Sequence, residues 1–304
     1  MKPIAYFKAL SDSTRVRLVN ALGDHELSVN EMVSLLGMGQ SRISRHLRIL
    51  MDAGFLRCRR DGAWAFYGIS PDGEARRLLE AVQFTLQDEP LLLADRKRVS
   101  TLVEDRRRNT MHFFDTIAPD WDLLKQEIIG DVDLNGAIAD WIPPGVTVVD
   151  LGCGTGDFLV VAAARAGKAI GVDSSAKMLE LARRRFQGNR NKPEFRLGEL
   201  EHLPLGDGEA DCAVVSMVLH HVPDPGTAIA EIRRTLKPGG RLLIAELEKH
   251  GSEEMRERFG DRWLGFSRHE MEQYLSGNGF VLDTQRSLAL RKSLCLGLFI
   301  ALKS

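Results

Sequence analysis

The sequence predicts a multidomain chain in which a mainly α domain with a helix-turn-helix is followed by an α/β domain built on a parallel sheet. Three observations predict it. Two short amphipathic helix patterns separated by a glycine turn are followed by two strand patterns joined at Asp61-Gly62. A helical stretch without strand signals comes next. From Val146 onward, strand and helix patterns alternate, as a parallel sheet with helices on both faces requires. The chain has 304 residues, enough for two domains with separate cores. Its 44% hydrophobic and 27% charged content excludes a disordered or fibrous chain.

In the first domain, Ser28-Val29-Asn30-Glu31 has the form of a capping box, with hydroxyl and carboxylate each satisfying one exposed backbone donor. The helix it opens runs through Leu36 and is ended by Gly37. A second helix spans Gln40 to Asp52, with Ile43, Leu47, Leu50 and Met51 forming its core stripe. Ser41, Arg42, Ser44, Arg45 and Arg48 then lie on or beside the opposite face, within reach of phosphates and base edges. Past Gly54, two strand patterns flank Asp61-Gly62, and a basic hairpin after a helix-turn-helix is a wing.

The overall charge of −1 conceals a local excess. Arg42, Arg45, Arg48, Arg57, Arg59 and Arg60 fall between Gln40 and Arg60, opposed only by Asp52, which points to an anionic partner. Four scattered cysteines without a CxxC pair give neither a disulfide framework nor a metal knuckle. The first residues lack the apolar core of a signal peptide, and the apolar stretch Leu294 to Leu302 is too short to span a bilayer. A cytoplasmic protein with no membrane contact is expected.

The segments Leu10 to Leu18, Gln40 to Leu50 and Asp52 to Leu56 together resemble the ArsR family of dimeric winged-helix repressors. The resemblance covers about the first quarter of the chain. It implies a homodimer on a double-stranded DNA operator, with Gln40, Ser41, Arg42, Ser44 and Arg45 meeting DNA and Arg59 and Arg60 on neighbouring phosphates. His46 is expected to pack or to bond a phosphate. Metal-sensing members carry cysteines on the first helix of the motif or histidines after the wing. Glu26 to Asn30 holds no cysteine and Pro71 to Glu89 no histidine, so no metal is expected.

One or two long helices are predicted from Gly73 to about Arg108, with a break at Pro90. The run Arg106-Arg107-Arg108 reads as solvated, with phosphate contact as the alternative. The expected boundaries are 1–72 for the winged helix-turn-helix, 73–122 for a helical dimerisation, linker and lid region, and 123–304 for the α/β domain. Phe113, Phe114 and Trp121 are candidates to cover a ligand or to fill a core.

In the α/β domain, the first strand ends in Asp150-Leu151-Gly152-Cys153-Gly154-Thr155-Gly156. Glycines at every second position let the backbone turn sharply and approach a ligand without Cβ clashes. The spacing departs from the phosphate-binding dinucleotide fingerprint. Asp173, ending the second strand, suits a ribose diol. Further segments run from Phe195 to Leu205, from Asp211 to Val222 and from Leu236 to Ile244.

In this order the five segments resemble class I methyltransferases that depend on S-adenosylmethionine (SAM), especially the ubiquinone-biosynthesis-like group. The resemblance implies a Rossmann-like fold and a site for SAM or S-adenosylhomocysteine (SAH). It sets Gly152, Gly154 and Gly156 around the methionine portion and Asp173 on the ribose, with Ser174 and Met178 beside the nucleoside; Asp150 is expected among the cofactor-binding residues and Cys153 as a small residue lining the cofactor. Glu199 stands where the family places an aspartate for the adenine amino group, with Leu200 beside it; Ser216 and Met217 border the site. His220 and His221 are expected to point apart, with no acid cluster completing a metal shell, as structural or cofactor-edge residues. Fusions of this layout include SAH-responsive regulators linked to SAM-cycle genes. The leading expectation is therefore a regulator sensing SAM or SAH, and the alternative an active small-molecule methyltransferase that also regulates transcription.

Overall fold

The computed structural model describes residues 2–23, 25–189 and 191–304. The chain forms two compact units, Met1–Arg106 and Arg107–Ser304.

The first unit contains α1 (Lys2–Leu10), α2 (Ser13–Ala21), β1 (Leu27–Ser28), α3 (Val29–Leu36), α4 (Gln40–Asp52), β2 (Leu56–Asp61), β3 (Trp64–Ile69) and α5 (Glu74–Leu86). The long helix α6 (Pro90–Ile117) starts at the predicted proline and carries the unit boundary. The capping box of α3 is complete: Glu31 Oε2 accepts from the Ser28 amide at 2.7 Å, and Ser28 Oγ accepts from the Glu31 amide. Gly37 ends the helix in the left-handed region, at φ 64°. Ile43, Leu47 and Leu50 of α4 are fully buried with Leu18, Met32 and Phe55. In the wing, Asp61 belongs to the strand and pairs with Trp64, so the two-residue loop is Gly62-Ala63, with Gly62 at φ 57°. The sheet order is β1-β3-β2.

The second unit adds α7 (Trp121–Ile129), α8 (Leu134–Ala139), β4 (Thr147–Leu151), α9 (Asp157–Arg165), β5 (Lys168–Asp173), α10 (Ala176–Arg185), β6 (Glu194–Leu197), β7 (Ala210–Ser216), α11 (Pro225–Thr235) and β8 (Leu236–Leu247). Then come α12 (Glu254–Phe259), α13 (Arg268–Gly277), β9 (Phe280–Ala289) and β10 (Cys295–Lys303). The seven-stranded sheet has the order β6-β5-β4-β7-β8-β10-β9. The five strands expected from sequence are parallel, in a Rossmann-like arrangement. The sheet is nevertheless mixed, because β10 is antiparallel to both β8 and β9. The apolar stretch ending at Leu302 is this buried strand, with Leu296 to Ala301 inside the core. Chain order reverses between β4 and β7, which opens a crevice at their carboxyl ends. No helix among the described residues is long and apolar enough to cross a membrane.

Candidate functional site

A cavity lies at that switch point. It is lined by Asp150 in β4 with Gly152, Cys153 and Gly154 after that strand, by Asp173 at the end of β5 with Ser174 after it, and by Met178 on α10. Glu199, Leu200, Ser216 and Met217 complete the sequence-predicted set. Gly156 is not in the wall. A Cβ there would meet Ala182 at 3.2 Å and Phe186 at 3.5 Å, so this glycine permits close packing of α10 beside the loop. Gly152 is at φ 73°, and a Cβ would fall 2.5 Å from Val218, a position only glycine tolerates.

Two carboxyl groups set the electrostatics. Asp173 accepts from the amides of Gly154 and Ser175, each at 2.8 Å, which fixes the loop against the end of β5. Burial raises its pKa to about 6, opposed by those backbone N–H groups. Asp150 is more isolated: burial, then the nearby Asp157, pushes it up to about 8. Asp157 stays ionised despite its burial because Lys125 lies 2.8 Å away and Asn135 also donates to it. Cys153 lines the cavity as a buried thiol whose pKa burial drives well up, so it is a neutral wall residue.

The rest of the wall joins two aromatic residues considered from sequence to others that the sequence did not single out as lining it. Arg107, Thr110, Met111 and Phe114 of α6 face the cavity, with Trp121 and Lys125 of α7. Phe114 and Trp121 thus occupy the covering position considered for them, their rings meeting edge-on at 5.4 Å. Phe113 does not line the cavity; it packs where a Cβ on Gly260 would stand. The arginine run is not simply solvated. Arg106 bonds Glu31 through Nε at 2.9 Å, and Arg107 faces Glu199 at 3.6 Å and Glu201 at 3.7 Å.

His220 and His221 depart from expectation as well. Their rings lie 4.0 Å apart rather than diverging, and acids do gather about them. His220 Nδ1 bonds Glu246, and its Nε2 is 3.6 Å from Asp261. Burial opposes the charge on His220, yet these two carboxylates raise it to about 9, so it holds a proton at neutral pH. His220, His221 and Asp261 have ligand atoms within 4.8 Å of one another, the spacing of a metal site.

In the first unit, Gln40, Ser41, Arg42, Ser44, Arg45 and Arg48 are all exposed along one side of α4. Their predicted partners on the wing divide. Arg60 is exposed, whereas Arg59 donates through Nε and Nη2 to Glu26, both at 3.1 Å. Glu26 also draws in Arg57, at 3.2 Å, so Arg59 is committed within the domain. His46 is buried in the helix packing near Asp12, and burial lowers its pKa.

Comparison with known proteins agrees with this division. Residues 12–57 match the bacterial regulatory proteins of the arsR family, and residues 149–244 match a methyltransferase domain. A demethylmenaquinone methyltransferase of Symbiobacterium thermophilum is 32% identical over 177 residues, 54% of this chain and 68% of that protein. An uncharacterized 37.1 kDa protein in transposon TN4556 of Streptomyces fradiae is 36% identical over 195 residues, 61% of this chain. The match spans only 56% of the transposon protein's length. In three dimensions the [4+2]-cyclase SpnF superposes with a TM-score of 0.55 at 19% identity, over 64% of this chain and 94% of that one. That likeness concerns the fold alone. The chain belongs to the class I SAM-dependent methyltransferase family and carries an ArsR-family helix-turn-helix at its N-terminal end.

Proposed function

We propose that this protein is a DNA-binding transcriptional regulator, a repressor, whose methyltransferase-fold unit binds SAM or SAH as its effector. The observation that carries the reading is the pair Arg106 and Arg107. Arg106 holds Glu31, the capping-box acid of the first helix of the helix-turn-helix. The next residue, Arg107, faces Glu199 and Glu201 in the cavity wall. The same helix places Val99 and Val103 in the first unit's core and Met111 and Phe114 at the cavity. A ligand that engages Glu199 with its adenine competes with Arg107 for that carboxylate and biases the helix. No cysteine cluster offers a metal-sensing route in the first unit, where Cys58 is the one cysteine.

In this reading Asp173 accepts from the ribose hydroxyls, and Ser174 and Met178 flank the nucleoside. Asp150 and the backbone around Gly152 and Gly154 hold the methionine portion. Gln40, Ser41, Arg42, Ser44 and Arg45 meet the major groove of a pseudo-palindromic site, read by a homodimer.

The test selects a binding duplex from a random DNA pool and titrates it with no ligand, SAM or SAH. The expected result is a change in DNA affinity of roughly 5–150-fold between ligand states, the usual range of allosteric coupling. Equal affinity in all three states, with ligand shown to be bound, overturns the effector role.

A further inference from the structure

His220, His221 and Asp261 are buried, and one ligand atom from each lies within 4.8 Å of the other two. The ring nitrogens of the histidines divide between two roles. His220 Nδ1 bonds the buried Glu246, and His221 Nδ1 donates to the Gly260 carbonyl oxygen at 3.2 Å. A histidine that binds a metal holds its other ring N–H in this way, on a carboxylate or a backbone carbonyl, which sets the tautomer and leaves Nε2 as the ligand. His221 Nε2 is buried and has no hydrogen-bond partner among the described residues. A buried lone pair left unmatched is costly and calls for a partner. His220 Nε2 and Asp261 Oδ1 stand 3.6 Å apart. Two ligands of a tetrahedral ion, with bonds of about 2.0–2.1 Å, are separated by about 3.3–3.4 Å, so this pair is close to coordination spacing.

The backbone already holds these residues together. The amides of Arg262 and Trp263 donate to the His220 carbonyl oxygen at 2.9 and 3.0 Å, and Trp263 Nε1 donates to the Val222 carbonyl oxygen at 2.8 Å. These bonds dock the segment after α12, which carries Asp261, onto the turn that carries both histidines. Glu246, near the end of β8, is itself fixed by the Leu247 amide at 2.7 Å and the His220 amide at 3.3 Å.

We propose that His220 Nε2, His221 Nε2 and a carboxylate oxygen of Asp261 bind a divalent transition-metal ion of the zinc class, with Glu246 positioning His220. Two imidazoles and a carboxylate are a zinc ligand set that leaves a fourth place for water. Without metal, His220 carries a second proton between its flanking carboxylates. The cation takes the place of the Nε2 proton, which passes to solvent, and its two positive charges balance the carboxylates of Glu246 and Asp261. Bound there, the ion pins the segment after α12 to the ends of β7 and β8. The site is independent of which molecule the cavity holds.

The experiment strips the full-length chain with a chelator, titrates it with Co²⁺ followed by visible absorption and with Zn²⁺ in competition with a chromophoric chelator, and records the melting midpoint with and without Zn²⁺. A single ion per chain is expected, with cobalt d–d bands, no thiolate charge-transfer band, and a midpoint raised by Zn²⁺. Asp261→Asn and His221→Gln, both close in volume to the native side chains, should each abolish this uptake and the gain in midpoint. Glu246→Gln should keep the site and weaken it about 10–100-fold, the effect of losing a carboxylate behind a ligating histidine. Circular dichroism establishes that each variant is folded; where one is not, the wild-type spectrum and the remaining variants decide. No uptake by the wild-type chain overturns the proposal, as does equal affinity in Asp261→Asn and His221→Gln. A thiolate band overturns it too, because it puts the ion on cysteine.

Discussion

In the proposed reading, in which Asp150 lies beside the bound ligand, affinity for that ligand depends on pH. The Asp150 carboxyl is buried at the end of β4, with a pKa raised to about 8 by burial and by Asp157. At pH 7 about nine-tenths of Asp150 is therefore protonated in the empty cavity. SAM brings an ammonium and a sulfonium, and either cation beside Asp150 favours the ionised form. Binding then expels the proton. Below pH 8 the ligand competes with that proton, so affinity rises with pH and levels off above 8. The slope between pH 6 and 8 should approach tenfold per unit, with about 0.9 proton released at pH 7. Below pH 6 the fall steepens as Asp173, raised to about 6, also takes up a proton. Calorimetry at several pH values, in buffers of different ionisation enthalpy, reads both quantities. Asp150→Asn should flatten the slope above pH 6 and abolish proton release. SAH keeps the ammonium and lacks the sulfonium, so equal release with both ligands identifies the ammonium as the partner. A wild-type affinity that does not vary with pH, or an unchanged slope in Asp150→Asn, refutes the reasoning.

Three further outcomes are expected. Arg42→Ala and Arg45→Ala each remove an exposed cation from α4; where the contact is to phosphate, the slope of log affinity against log salt should fall by about 1, measured by anisotropy. Gly152→Ala forces a Cβ to 2.5 Å from Val218 at a positive φ, costing about 1–3 kcal/mol, seen as a lower melting midpoint and weakened SAM binding. Ser28→Ala leaves the Glu31 amide uncapped and should cost about 1 kcal/mol in denaturant unfolding of the first unit.

The local features were legible because each is written within a few residues. The capping box of α3, the stripe of Ile43, Leu47 and Leu50, and the glycine loop after β4 all depend on short-range spacing. What escaped depends on distance along the chain. Glu246 and Asp261 reach His220 from 26 and 41 residues away, so the acids that complete the histidine cluster could not be inferred from His220-His221 alone. Arg106 and Arg107 read as a solvated run because their partners, Glu31 and Glu201, are more remote still along the chain. Likewise β10 reads as a plain apolar run; its burial on both faces erases the alternation that marks a half-exposed strand. Gly156 had the same local signal as Gly152 and Gly154, and only the packing of α10 distinguishes its role.

Coupling between ligand and DNA must be reciprocal, and that gives the most direct test of the central claim. The dissociation constant of SAH, and separately of SAM, is measured for the full-length chain with and without a saturating selected duplex. The account predicts that DNA shifts the affinity of at least one of the two by the factor with which that ligand shifts DNA affinity. Dissociation constants for both ligands that are unchanged by bound DNA contradict it.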